Sequence, residues 1–340
     1  WPTLAKNLED ELRYHRIRRI AGERVAAELR RPFPSTGHVA LELEDLVRTL
    51  GPRARAGPLA TATTASWLSP TRSAPANSNN WVVGPERSAS GAPLLANDPH
   101  LGLSLPSVWY LAHLSYPGEE LAGVTVAGAP GIVIGHNQHV AWGFTAAAVD
   151  TDDYFIEALH PEDPTRYRTP QGYASFETRE EVFRVRFAGE ARRTLKTSRH
   201  GPVLPREVWA EPGDEDGFEL AVRSTVHLAP DESFLFFFGL NHARSWADAL
   251  EAAEHCGLPP QNMVLATKQG DIGYMMVGAI PHRGPRHASR GLWPAEGANP
   301  DNDWLGTLPW AERRGDLNPP AGAHDTANGR IVPEGFAHPV

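Results

Sequence analysis

The abrupt change of character at Ser78 constrains this chain more than any other feature. Upstream, residues 57–77 form a soft stretch rich in Ala, Thr, Ser and Pro. Downstream, Ser78-Asn79-Asn80-Trp81-Val82-Val83 reads at once as a strand, and strand-like segments then recur to about residue 283. A spacer that ends on a Ser opening a strand suggests a cleavage point. Cutting the bond before Ser78 would give that residue a free α-amine beside its hydroxyl, a nucleophile and a base together. An interdomain linker followed by an ordinary Ser is the alternative reading of the same stretch.

The segments on either side set the fold class. Apolar residues recurring about every four positions predict a helix over 4–31, ended by Pro32 and Pro34. A second short helix is predicted over 40–50. Asn79–Val83 and Pro93–Asn97 flank a Gly-rich turn and predict a hairpin. Further strands are predicted over 108–116, 121–126, 132–135, 140–146, 154–159, 181–187, 219–228 and 234–239. Ser245 is the expected N-cap of a helix to His255, and 261–267 with 272–278 form a second hairpin. After Arg283 the chain is rich in Gly, Pro and Asn and reads mostly as loop. Helices, spacer, many strands, a helix and more strands describe an α+β layered protein. The expected domains are 1–56, helical; 57–77, spacer; and 78–340, the sheet-bearing part. Trp1 opens directly before a helix without a Met, and Pro339-Val340 follows no closing element, so the chain reads as a piece of a longer precursor.

Composition narrows the function. With 340 residues, 41% hydrophobic and 21% charged, the chain is globular in composition, and its formal net charge of -9 argues against nucleic acid as a partner. No apolar run approaches the ~20 residues of a membrane span. The single cysteine, Cys256, excludes an internal disulfide and is read as a small buried hydrophobe. There is no G-x-S-x-G elbow, H-E-x-x-H zinc helix, Walker loop or Rossmann glycine fingerprint. A His-based triad stays open among 15 His, but nothing singles one out.

The residues from Ser78 onward resemble the β subunit of the penicillin acylase family of N-terminal nucleophile hydrolases. The resemblance lies in Ser78-Asn79-Asn80-Trp81-Val82-Val83-Gly84, Leu94-Leu95-Ala96-Asn97-Asp98-Pro99-His100-Leu101 and Gly128-Ala129-Pro130-Gly131 running to Gly135-His136-Asn137. It continues in Ala141-Trp142-Gly143-Phe144-Thr145-Ala146, Asp150-Thr151-Asp152-Asp153 and His200-Gly201-Pro202-Val203. Gln261-Asn262, Gly270-Asp271-Ile272-Gly273-Tyr274 and Gly278-Ala279-Ile280-Pro281-His282-Arg283 complete the ordered set. The helices before the spacer resemble the end of the family's α subunit.

That resemblance implies a four-layer αββα sandwich of the N-terminal nucleophile type, incomplete here, and a zymogen that cleaves itself after Asn77. Ser78 would be the nucleophile, and the Ala146 N–H with the Asn262 side-chain amide would stabilise the oxyanion. His100 would orient Ser78, and Arg283 would organise Asn262 or touch substrate. Leu101, Ile134 and Phe144 map to the acyl pocket, with Phe144 where some members have a small residue. Asn77 stands where many members have Gly. Asp150, Asp152 and Asp153, with Glu11 from the α-subunit helix, resemble a structural calcium site joining the α and β pieces of one precursor. A small N-acyl amide would be the substrate, β-lactam side chains and N-acyl-homoserine lactones being the two options. A periplasmic or secreted location is implied. A non-catalytic secreted binding or structural protein that keeps the fold is the contrasting reading.

Overall fold

The computed structural model describes residues 2–23, 77–101, 104–147, 149–210, 217–228, 230–258, 260–313 and 315–328. The helix predicted over 40–50 and the spacer lie outside these residues. The chain divides into two compact units, Trp1–Ser73 with Leu292–Pro294, and Ala74–Gly291 with Ala295–Val340.

In the first unit, helix α1 spans Pro2–Ala21. It is shorter than predicted because Gly22 takes a left-handed φ of 86° and donates its N–H to the Arg18 carbonyl at 3.0 Å, a glycine stop. Ile20, assigned to the apolar stripe by periodicity, is 83% exposed. The helix instead sets Tyr14 in a stack on Trp293 (5.2 Å between centroids) and Arg18 over the same ring.

The second unit is built of strands. The predicted hairpin is β1 (Asn77–Val83) and β2 (Leu94–His100), with Ser78 opposite Pro99. Then come β3 (Trp109–Tyr116), β4 (Glu119–Val126), β5 (Ile134–His136), β6 (Val140–Ala146) and β7 (Asp152–His160). Next are β8 (Asp163–Thr169), β9 (Gly172–Ser175), β10 (Glu177–Val185), β11 (Gly189–Ser198) and β12 (Gly201–Pro202). A short helix α2 (Arg206–Trp209) and β13 (Phe218–Ser224) precede helices α3 (Ser233–His242) and α4 (Trp246–Glu254). The chain goes on through β14 (Gln261–Thr267), β15 (Ile272–Val277), β16 (Pro281–Arg283) and β17 (Ala295–Glu296). It reaches β18 (Trp304–Thr307), β19 (Gly315–Leu317) and β20 (Ala323–Thr326). A seven-stranded sheet runs β19-β15-β14-β6-β5-β4-β3, and a three-stranded sheet runs β2-β1-β20.

Two elements differ from the sequence reading. Residues 234–239 are helix α3, not a strand. Asp231 accepts from the Ser233 N–H (3.0 Å) and hydroxyl (2.6 Å) at the helix start, and Phe236 and Leu240, one turn apart, are buried. Packing of that face overrides the strand preference of aromatic residues. The tail read as loop supplies β20, which pairs with β1.

Alternation along β6 and β14 builds two cores from the same strands. Trp142, Phe144, Met263 and Leu265 face Phe236, Leu240, Ala249 and Ala253 of α3 and α4. Val264 and Ala266 turn the other way and pack with Val82, Tyr274 and Met276. Helices, large sheet and hairpin sheet are therefore stacked, three layers of the expected four among the described residues. Each fully buried large apolar side chain contributes ~1.5–3 kcal/mol. Cys256 is buried as expected, and desolvation pushes its thiol up to about 12. Gly143 lets the hairpin approach β6. A Cβ there would lie 2.8 Å from the Asn97 Cβ, closer than side chains pack.

Candidate active site

Strand alternation aims β1 at the large sheet. Asn80 and Val82 are buried and Trp81 is exposed, so Ser78, two residues before Asn80, belongs to the inward face. Across β1 and β20, Asn80 pairs with Thr326, and the same register sets Ser78 against Asn328. The Asn328 Oδ1 accepts the Ser78 N–H, and its Nδ2 donates to the Ala146 carbonyl at 2.9 Å. One side chain thus connects the predicted nucleophile with the predicted oxyanion strand.

The end of β6 is a free edge. Ala147 donates its N–H to Pro260 at 3.0 Å. By the antiparallel pattern, Ala146 and Phe144 then point their N–H groups away from β14. β5 pairs with β6 no farther along than Trp142. At Phe144 the Asn97 amide takes the missing strand's place. Its Oδ1 accepts the Phe144 N–H (2.7 Å), and its Nδ2 donates to the carbonyls of Phe144 (3.0 Å) and Asn79 (2.9 Å). One step on, Asn328 engages the Ala146 carbonyl. The Ala146 N–H points to that same side, where an oxyanion donor is needed.

Asn262 is 0% exposed, and its orientation is fixed on every side. Tyr274 donates its hydroxyl to Oδ1 at 3.1 Å, which turns Nδ2 toward the Thr145 hydroxyl (3.1 Å) and the Ala146 carbonyl (3.4 Å). Thr145 lies 2.7 Å from the Thr326 hydroxyl. Thr326 donates to Asn80 (2.6 Å), and Asn80 donates back to the Asn262 backbone carbonyl (3.3 Å). This ring of buried polar groups satisfies its own hydrogen bonds, as a low-dielectric interior requires.

His100 is placed differently from its expected role. It stands opposite Asn77, and its Nε2 meets Asp98 at 2.6 Å. Asp98 and His100 are both exposed while Asn97 and Pro99 between them are half-buried, so the pair lies on the face of β2 opposite to Ser78. The period of two is the reason. Arg283 is buried with the acidic group. Its Nε donates to Asp153 at 2.8 Å, and its Nη2 pairs with Asp150 at 3.2 Å. Trp304 Nε1 also donates to Asp153. Asp152, the neighbour of Asp153 along the strand, turns to the other face and bonds Ser224, its partner on β13. Burial pushes Asp150 up to about 7 despite Arg283, and it raises Asp152 as well. Glu11 lies on α1 in the first unit.

Of the predicted pocket residues, Ile134 and Phe144 join one apolar cluster. Phe144 meets Phe236 and Phe237 edge-on at 5.9 and 6.4 Å. Leu101 follows β2 and is exposed. Residues missed in the sequence are Asn97, Thr145, Thr326, Tyr274 and Asn328. Asn97 and Thr145 stood inside quoted motifs, whereas Thr326 and Asn328 had no periodic signal around them.

Residues 1–340 match the protein family described as penicillin amidase. The chain belongs to the penicillin amidase family. It is 34% identical over 268 residues to an acyl-homoserine lactone acylase, QuiP, of Pseudomonas aeruginosa, covering 77% of this chain and 31% of that protein. It is 32% identical over 257 residues to a penicillin acylase 2 proenzyme of a Pseudomonas species, covering 75% and 32%. Among solved structures, the thermostable penicillin G acylase of Alcaligenes faecalis matches with a TM-score of 0.66 at 28% identity, over 75% of this chain and 45% of that one. The chain therefore spans less than half of each of these relatives. Its α+β fold is that of this penicillin amidase group, the N-terminal nucleophile type expected from the ordered motifs.

Proposed function

We propose that this penicillin amidase family member is an amidohydrolase whose nucleophile is Ser78, exposed as a new N-terminus by cleavage after Asn77. The observation that carries the reading is the convergence of Ser78, Ala146 and Asn262 where the hairpin meets the end of β6. The Ser78 hydroxyl attacks the carbonyl of an N-acyl amide. Its proton passes through a water to the α-amine, whose ordinary pKa of ~7.7–8.0 leaves a neutral fraction near neutrality. The oxyanion is held by the Ala146 N–H and Asn262 Nδ2, each such donor being worth ~3 kcal/mol in the transition state. Collapse breaks the C–N bond, and the proton goes to the leaving amine. Water then hydrolyses the Ser78 ester by the same route. The apolar cluster of Ile134, Phe144 and Phe237 favours an apolar acyl group. The relatives are named for acyl-homoserine lactones and for penicillin, and both substrate types belong in the test panel.

The acidic group fits a hard cation such as calcium. The Asp153 Oδ1 is buried with no hydrogen-bond partner among the described residues, and two carboxylates share the single guanidinium of Arg283. Asp150 and Asp153 would hold the ion through oxygen, with Glu11 and Asp152 as further members of the set. It would supply charge neutralisation and a tie between the two pieces of the precursor.

The test is intact-mass analysis of the full-length protein with an N-acyl amide panel. Two pieces split between Asn77 and Ser78 are expected, active on the panel, with Ser78→Ala left whole and inactive. An uncleaved chain that hydrolyses amides would overturn the mechanism. One that is whole and inactive would favour a binding protein.

A further inference from the structure

We propose that Asn328 is a positioning residue that orients the α-amine of Ser78 in the cleaved protein. The proposal rests on the reading of Ser78 as an N-terminal nucleophile. A terminal amine turns about its N–Cα bond, and only one rotamer directs the nitrogen lone pair to the hydroxyl side. Something must accept one of its N–H groups to select that rotamer. In the uncleaved chain the acceptor of the Ser78 N–H is Asn328 Oδ1, and the β1–β20 register that sets the two residues opposite each other does not involve the severed bond.

The choice of side chain is specific. A planar amide has an acceptor and a donor on one rigid group. With Oδ1 on the Ser78 nitrogen, Nδ2 reaches the Ala146 carbonyl at 2.9 Å. The position of the amine is thereby referenced to the strand that offers the oxyanion N–H. Asn328 adopts φ 62°, a left-handed conformation that Asn tolerates better than most residues. The fold holds it there by pairing Asn80 with Thr326 just upstream.

Ionisable groups on the surrounding elements are few. Asp98 and His100 on β2 turn to the outer face and meet each other. Asp325 on β20 stands opposite exposed Trp81. Tyr274 on β15 donates to Asn262. None of these supplies the hydrogen bond that Asn328 makes to the Ser78 nitrogen.

The experiment compares full-length wild type with Asn328→Ala and Asn328→Asp for cleavage, thermal melting, and kcat and KM across pH on an N-acyl amide. Wild type reports on the parent reading alone. If it is not cleaved before Ser78 or has no amidase activity, that reading fails whatever the variants do. Given active wild type, Asn328→Ala is expected to lose up to about 100-fold in kcat with KM little changed, the scale of a small misplacement at a reacting group. Asn328→Asp places a negative charge beside the amine, and the acid limb of kcat/KM should move up by about one pH unit. A cleaved Asp variant with the wild-type pH profile, or a cleaved Ala variant with wild-type kcat, overturns the proposal. So does folded, uncleaved accumulation of both variants, since Asn328 would then act before the amine exists.

Discussion

The two faces of β6 and β14 are made by the same strands and are held in opposite ways. Toward α3 and α4, Trp142, Phe144, Met263 and Leu265 pack without a polar side chain among them. Toward the hairpin, Thr145 and Asn262 join Asn80, Thr326 and Tyr274 in a buried hydrogen-bonded ring, with apolar packing resuming at Val82 and Val264. The helix face supplies stability through nondirectional burial. The hairpin face supplies direction, because a hydrogen-bonded amide has one satisfactory orientation whereas a packed methyl has several. A site that must aim an N–H at a developing charge needs the second kind of surface supported by the first.

Mutations that separate the faces test this contrast. On the hairpin face, Asn262→Ala should lower kcat of the cleaved protein by roughly 100- to 1000-fold. It would also leave the Tyr274 and Thr145 hydroxyls short of a partner, costing about 1–3 kcal/mol of stability. Steady-state kinetics beside denaturant unfolding reads both, and a stability loss with kcat intact would break the comparison. On the helix face, Met263→Ala opens a cavity one residue along the same strand and should cost ~2–5 kcal/mol. It should leave kcat of the folded fraction within a few-fold of wild type. A kcat loss as large as that of Asn262→Ala would mean that the faces are not separable. The smallest expected effect is that of Thr145→Val, which keeps the shape and removes the hydroxyl that Asn262 Nδ2 donates to. About 1 kcal/mol is expected, with a kcat loss of roughly tenfold as the amide loses one restraint. Unchanged kcat would show that Tyr274 alone orients Asn262.

Much of the site's chemistry could be read along the chain. The bounds of β6 and β14 agree with alternation alone, as does the β1–β2 hairpin, and the ordered motifs assign Ser78, Ala146 and Asn262. Three features could not be read this way. The aromatic run at 234–238 satisfies either a strand or a helix, and the Asp231 contact with buried Phe236 and Leu240 decides for helix. His100 stands near Ser78 along the hairpin, but the pleat turns it to the other face with Asp98. Ala323–Thr326 has neither an apolar period nor strong strand formers, and it becomes a strand by completing the free edge of β1.

The linear order of residues by itself determined which strands exist, which of their side chains share a face, and which residue would become a terminal nucleophile. Those properties follow from a local period of two and from the chemistry of single side chains. Only the tertiary structure decided that a segment about 250 positions from Ser78 supplies the hydrogen bond to its nitrogen, and that Arg283 stands with Asp150 and Asp153. Such contacts join groups far apart in sequence. They depend on which backbone edges and buried charges remain unsatisfied once the layers have packed.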